Sequence, residues 1–491
     1  MSWCDQSYRI LEECHKMNAN KKIRVWMLVV LMLFPEIARA ITIQEEEELS
    51  REFMAAVNEH YEIIHDSIIT DYITRIGDKI LAVMPPQSFQ YKFHVIKEST
   101  YNAFAGPGGQ IFINSGLFEA LNSEEELAGI IAHEISHVAC RHVSERIERS
   151  KKIGLATLAG VAAGILMGAT GSGAAASSAT AVGSMAAAQT ATLSYSREDE
   201  TQADQRGLDY LTKAGYSPKG LLAALTKIRN RQWYGRDQIP TYMMTHPAVE
   251  DRITFLGYWI EANPSIISKL SPHSPDAFDW THARLLAMFG PEDEALKNFK
   301  AQVTLTPDKA LAHYGYGLIL TRKGNRSAAM DQFRTALTRR AFDSTLLTEL
   351  GRTYFLDGRY PEALSILQGS LDISPDATEG LFYTGRCLME LGKFQEAARL
   401  LESLLRDTPD YPEAMFYLGS TYGSLGKTSD ACYYLGRYYH IRADYKNAVV
   451  QLEKAVDTTT DPQKKTEIEG LLKDAKKRYA LKMRESETRR R

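Results

Sequence analysis

The sequence predicts a mainly α protein with a small β-sheet, in which an α+β domain is followed by an α-solenoid. Three observations carry that prediction. The segment His133-Glu134-Ile135-Ser136-His137 lies inside a helical pattern in the first half of the chain. Two runs ahead of it, Tyr91–Lys97 and Gln110–Asn114, read as β-strands joined by Thr100–Gly109. Beyond about residue 275, small residues return every 34 positions, the step of stacked helical hairpins.

The elements follow in chain order. Lys21, Lys22 and Arg24 precede an apolar run from Val25 to Phe34, and Ala38-Arg39-Ala40 ends it with small residues. That pattern is a cleavable secretory signal over residues 1–40, too short in its apolar part to span a bilayer comfortably. Met17 is an alternative start, because the preceding stretch carries Glu12, Glu13, Cys4 and Cys14. Cys140, Cys387 and Cys432 remain after cleavage, an odd number that implies no complete disulfide framework. Cys140 reads as a buried apolar residue.

Asn122-Ser123-Glu124-Glu125-Glu126 reads as a capped, acidic helix start, and Leu127, Ala128, Ile130 and Ile131 continue it. On that helix His133 and His137 stand at i and i+4, so both imidazoles reach one metal ion. Glu134, beside the first histidine, is placed to hold a water as general base. A hydrolytic zinc centre needs a third protein ligand and an open position. Ala139 and Val143 stand where the metzincin pattern needs Gly and His, which excludes that arrangement. Ser196–Asp204 supplies another: Glu200 and Asp204 are again i and i+4, Glu200 as ligand and Asp204 as the acceptor that orients a ligand histidine. Glu198 and Asp199 read as a solvated first turn. His246, ahead of Pro247, is expected in an extended segment at the start of a helix, where it either steadies the oxyanion or occupies the open position. Arg252 is the other candidate for the oxyanion. His142 falls on a different face of the helix from His137 and reads as structural or superficial.

These motifs resemble those of the zinc peptidases related to the CAAX prenyl protease and to HtpX. The resemblance spans about residues 45–260. It rests on Asn102-Ala103-Phe104-Ala105 with Gly106-Pro107-Gly108-Gly109, the H-E-x-x-H helix, the Ser196–Asp204 segment, and Thr245-His246-Pro247 with Arg252-Ile253. It implies a zincin-type peptidase domain holding one zinc ion through His133, His137 and Glu200, with Glu134 as base and Asp204 behind the ligands. It also implies an edge strand beside the zinc cleft, where substrate adds as a further strand, and Asn102, Ala103, Phe104 and Ala105 as substrate-binding residues. Gly106 stands where many relatives are expected to carry a larger apolar residue.

No charged residue occurs from Ile153 to Ser196, a Gly-, Ala-, Ser- and Thr-rich stretch broken by Gly171-Ser172-Gly173. It is expected to form a lid or a hairpin that touches membrane, rather than a true span. From about residue 275 two series share the 34-residue step: Ala283, Gly317, Gly351, Gly385 and Gly419, and Ala295, Ala329, Ala363, Ala397 and Ala431. These are tetratricopeptide repeats. Gly436 and Ala448 continue them after a half-step of 17, and residues 464–483 read as a capping helix. The expected domains are residues 1–40 (signal), 41–275 (peptidase), 276–483 (repeats) and 484–491 (basic tail). The repeats offer a concave groove for a peptide or partner, or else pack on the peptidase and fix its form.

With 58 basic and 61 acidic side chains, the net charge of −3 gives no reason to expect nucleic acid. The full architecture is similar to that of the BepA-type periplasmic proteases. That likeness implies a periplasmic location, action on misfolded or stalled outer-membrane β-barrel proteins, contact with the barrel-assembly machinery through the repeats, and His246 as a fourth ligand in a resting enzyme. The competing expectation is a periplasmic chaperone or adaptor with an autoinhibited zinc site.

Overall fold

The computed structural model describes residues 42–150, 194–233, 241–271 and 273–490. The signal segment and nearly all of the small-residue stretch 153–196 lie outside the described residues. Among the described residues, no helix is long and apolar enough to cross a membrane.

The first half is an α+β domain. Helix α1 (Ile43–His60) opens on a Thr42 capping box closed by Glu45, and α2 (Ser67–Leu81) is capped by Asp66, whose carboxylate accepts from the Ile69 amide at 3.2 Å. A three-stranded sheet follows in the order β1 (Lys92–Ile96), β3 (Gln110–Asn114), β2 (Ala103–Ala105). β1 runs parallel to β3 in the register Lys92 opposite Gln110, and β2 runs antiparallel with Phe104 opposite Phe112. The Thr100–Gly109 connection expected from sequence therefore contains an edge strand and a 3-10 turn at Pro107–Gly109. Gly106 has a packing reason: a Cβ there would lie 2.8 Å from the ring of Phe53 on α1.

After the short α3 (Ser115–Ala120) comes α4 (Glu124–Ala139), capped by Ser123 and buried without interruption from Glu126 to Val138. A helix buried on every face lies at the centre of its domain. Ile130, Ile131 and Ile135 join Ile73, Ile76, Leu208 and Leu221 in one core. α5 (His142–Ser150) turns away from its end. Two later helices close on α4, α6 (Arg197–Lys213) and α7 (Lys219–Trp233). Their approach is tight: a Cβ on Gly129 would lie 2.7 Å from the Leu221 backbone, and one on Gly220 would lie 2.1 Å from the Glu125 carbonyl oxygen. α8 (Thr241–Thr245), α9 (Val249–Ala262) and α10 (Pro264–Ile267) complete this half.

The second half is a run of helical hairpins: α11 (Pro275–Phe289) with α12 (Glu292–Leu305), α13 (Ala310–Arg322) with α14 (Arg326–Arg339), α15 (Ser344–Leu356) with α16 (Tyr360–Ile373), α17 (Thr378–Glu390) with α18 (Phe394–Asp407), and α19 (Pro412–Ser424) with α20 (Thr428–Ile441). The periodic glycines are contact points. A Cβ on Gly351 would meet Leu367 at 2.6 Å, and one on Gly436 would meet Leu452 at the same distance. The half-step is real: α20 packs on both α19 and α21 (Tyr445–Thr458). The left-handed turn residues Gly358, Gly392 and Gly426 are succeeded by Ala443, 17 positions on, at φ 54°. The last helix, α22 (Pro462–Arg490), is longer than the expected cap and takes in most of the basic tail.

The two halves share a core. Phe278 and Leu285 of α11 belong to the apolar cluster of the peptidase half. A buried ion cluster joins them further along. Arg284 reaches Asp66 at 2.7 Å and Glu349 at 2.5 Å, and Arg352 meets the other oxygen of Glu349 at 3.0 Å. Arg352 also donates to the Tyr383 hydroxyl at 3.0 Å, and Ser67 lies 3.5 Å from Glu379. The first helices of the repeats thus turn charged side chains toward α2 of the peptidase half.

Candidate metal centre

The two histidines of α4 point into one buried space, as their i, i+4 spacing requires. Their Nε2 atoms are 3.0 Å apart. α6 brings Glu200 to them: Oε2 is 3.3 Å from His133 Nε2 and Oε1 is 3.3 Å from His137 Nε2. The segment after α8 brings His246, whose Nδ1 lies 3.3 Å from His133 Nε2 and 3.0 Å from Glu200 Oε1. All four side chains are buried, and their ligand atoms lie within 4.8 Å of one another. Zinc bonds of about 2.0–2.1 Å place tetrahedral ligands about 3.3–3.4 Å apart. The separations of 3.0–3.3 Å are close to that edge.

Glu134 is fully buried, and neither carboxylate oxygen finds a hydrogen-bond partner among the described residues. The nearest cation-forming group is His246 Nε2, at 3.6 Å. A buried carboxylate without a partner is costly and marks a position that serves chemistry.

Asp204 stands one turn beyond Glu200 and holds His133 from behind, Oδ1 to Nδ1 at 2.9 Å. Arg252, on α9, forks onto Asp204 at 2.7 and 2.8 Å and reaches Glu200 Oε2 at 2.6 Å. This corrects the oxyanion expectation for Arg252: its guanidinium is engaged by two carboxylates behind the ligands. Burial disfavours a charged His133, and Arg252 opposes it too, but bonds to Asp204 and Glu200 prevail and pull its pKa up to about 9. His137 has Glu200 alone to offset its burial, and burial pushes it well below its ordinary value. Burial would neutralise Glu200, yet Arg252 and the surrounding histidines hold it well below the usual carboxylate range.

His246 does not open a helix as expected. It follows α8, its amide donating to the Tyr242 carbonyl at 2.7 Å, and Ala248 (φ 59°) turns the chain into α9. Its Nε2 faces the Ala103 carbonyl of β2 at 3.3 Å. β2 pairs with β3 alone among the described residues, so one edge of the sheet is turned to the centre. Asn102 braces that edge, its carbonyl accepting from the Asn114 amide at 3.0 Å. Phe104 stacks on Phe112 with ring centres 4.9 Å apart, and Ala105 packs with Val138 and Val143. Of the rival acids, Glu198 is exposed and Asp199 closes the capping box on Ser196.

Sequence reasoning missed four residues. Tyr195 stacks on His137 at 3.6 Å, and Tyr242 stacks on His246 at 4.3 Å. Tyr195 sits next to the Ser196 cap, so its nearness to the motif was its one signal. His142 is buried against His137, with Gln202 beyond it. The placement of His142 on a remote face assumed a continuous helix. α4 ends at Ala139, and Arg141 at φ 64° folds the chain back.

Residues 69–260 match the model of Peptidase family M48. The chain carries an M48 peptidase domain followed by tetratricopeptide repeats. The repeat models match residues 293–344, 321–378 and 354–437. Peptidases of this family are zinc-dependent, and the four ligand atoms fit that ion. The chain is 31% identical over 288 residues to the putative beta-barrel assembly-enhancing protease of Vibrio cholerae, covering 57% of each chain. It is 27% identical over 271 residues to the beta-barrel assembly-enhancing protease of Yersinia pestis, covering 54% of each. It is also 27% identical over 191 residues to the mitochondrial metalloendopeptidase OMA1 of Schizosaccharomyces pombe, covering 39% of this chain and 53% of that one. The chain thus spans about half the length of the curated relatives it matches.

Proposed function

We propose that the protein is a zinc metalloendopeptidase of the periplasm that cleaves misfolded or stalled outer-membrane β-barrel proteins. One observation carries the catalytic part: a buried Glu134 with no hydrogen-bond partner among the described residues, beside four ligand atoms gathered within 4.8 Å of one another. Bound zinc would polarise the scissile carbonyl and acidify a water. Glu134 takes the proton from that water and hands it to the leaving nitrogen. Asp204 keeps the His133 proton on Nδ1, and Arg252 keeps Asp204 and Glu200 in place. The outer edge of β2, buried and faced by His246 Nε2 at the Ala103 carbonyl, would pair with an extended substrate backbone once uncovered, a mode suited to unpaired β-segments. The substrate class is supported by the names of the relatives, and the location by the signal pattern at the start of the sequence. Residues 153–196 remain a candidate for peripheral membrane contact, and the repeats for contact with the barrel-assembly machinery.

His246 Nδ1 at the fourth vertex favours a resting form with the open position filled. The same placement supports the second reading, a chaperone or adaptor whose zinc site stays closed. One experiment separates them. In zinc-loaded protein, Glu134→Gln is expected to abolish cleavage of an unfolded barrel protein while zinc content stays at one per chain. His246→Ala is expected to speed cleavage. Wild-type and His246→Ala proteins that both leave such a substrate intact would sink the peptidase reading. A Glu134→Gln variant with full biological activity would establish the adaptor.

A further inference from the structure

We infer that His142 is a positioning residue that fixes the proton of His137, through a chain ending at Gln202. The inference rests on the zinc reading above and concerns how this chain holds its second imidazole.

The two ligand histidines are supported differently. His133 is held by a carboxylate, Asp204, as metal-bound imidazoles commonly are. His137 turns its Nδ1 not to a carboxylate but to His142 Nδ1, 3.0 Å away. Two ring nitrogens at that distance share one proton, so one donates and the other accepts. The far side of His142 decides which. Its Nε2 lies 2.7 Å from Gln202 Oε1 and 3.8 Å from the Asp199 carboxylate. Both facing atoms are oxygens, and Asp199 is already fixed as an acceptor by the Ser196 cap at 2.9 Å. Nε2 of His142 therefore carries the proton, and Nδ1 presents its lone pair. His137 must then donate from Nδ1, which leaves its Nε2 bare toward Glu200 and the other ligand atoms.

Each link comes from a separate element. His142 opens α5, reached through the left-handed turn at Arg141. Gln202 lies on α6, two residues past Glu200, so the helix that brings the acidic ligand also ends the chain. Tyr195 lies on the His137 ring, stacked at 3.6 Å, and resists rotation about the bond that would swap its nitrogens. All three rings are buried, so water does not replace the missing acceptor if His142 is removed.

The test is zinc affinity of the full chain, read by competition with a chromophoric chelator, beside the melting temperature of the metal-free protein. His142→Phe is expected to weaken zinc about 10- to 100-fold, the usual cost of losing such support. His142→Asn keeps an acceptor oxygen near the Nδ1 position and is expected to stay within about threefold of wild type. Gln202→Leu is expected to weaken zinc by several-fold with an unchanged metal-free melting temperature, and it carries the test should His142→Phe not fold. Wild-type affinity in both His142→Phe and Gln202→Leu would overturn the inference, as would equal losses in His142→Phe and His142→Asn. A wild-type chain that binds no zinc overturns the metal reading itself, an outcome separate from the other two.

Discussion

The molecule buries two clusters of charge, and they differ in balance. At the junction of the two halves, Asp66 and Glu349 face Arg284 and Arg352, each carboxylate answered by a guanidinium. At the metal centre, Glu134, Glu200 and Asp204 face one guanidinium, Arg252, and three imidazoles. The junction is closed within the chain. The centre leaves Glu134 without a hydrogen-bond partner among the described residues and gathers four ligand atoms within 4.8 Å of one another. A balanced buried cluster fixes one arrangement of helices, whereas an unbalanced one is built around something the chain does not itself contain.

The strongest way to break this contrast is to unbalance the junction. Arg284→Met leaves Asp66 buried without its guanidinium and Glu349 with Arg352 alone, with an expected loss of about 3–5 kcal/mol in chemical denaturation. Glu134→Gln, by contrast, is expected to leave the metal-free protein at least as stable as wild type. A destabilisation of Glu134→Gln matching that of Arg284→Met would erase the distinction.

The next effect lies at the centre. Asp204→Asn is expected to weaken zinc about 10- to 100-fold in chelator competition, because the acceptor behind His133 becomes neutral. An affinity unchanged from wild type would show that Arg252 alone orders the ligands.

A smaller effect sharpens the view of the junction as nearly, but not wholly, balanced. Burial, with help from the Asp66 charge, raises the Glu379 carboxyl to about 7, against the offsetting pull of Arg284 and Arg352. Its protonated form is favoured in the folded chain. The stability it contributes is complete below about pH 4.5 and is lost as pH rises through about 7. Glu379 is half-buried, so the effect is about 1–2 kcal/mol. Thermal unfolding should find Glu379→Gln close to wild type at pH 5 and more stable at pH 8. Parallel curves for the two proteins across that range would remove Glu379 from the junction. Smallest of all is the exposed pair of Lys477 with Glu48, 3.2 Å apart, where Lys477→Ala should cost at most about 0.5–1 kcal/mol in the same denaturation assay.

What could be read from sequence follows the range of the interactions. His133 with His137, and Glu200 with Asp204, are legible because each pair spans one helical turn. The hairpins are legible because Gly351 and Gly436 recur for one steric reason. Arg252 was visible, but its partners were not, since α9 meets α6 through the fold rather than the chain. Strand β2 was hidden by its length, three residues beside a glycine-rich turn. His142 was lost to one backbone angle at Arg141. Asp66, Arg284 and Glu349 looked like ordinary charges on amphipathic helices. Only the meeting of the two halves makes them a cluster.

A stack of hairpins behaves as a spring, because each unit touches mainly its neighbours and small rotations add along the row. Here the spring is fastened to the peptidase half at its first coil, through Phe278 and Arg284, again near its middle, through Lys92 and Asp410, and at its last coil, through Lys477. The first coil is held through buried groups, the later two only through exposed ion pairs. Any protein that grips the coils and changes their pitch pulls on α2, and α2 lies against the same core that seats the zinc-binding helix.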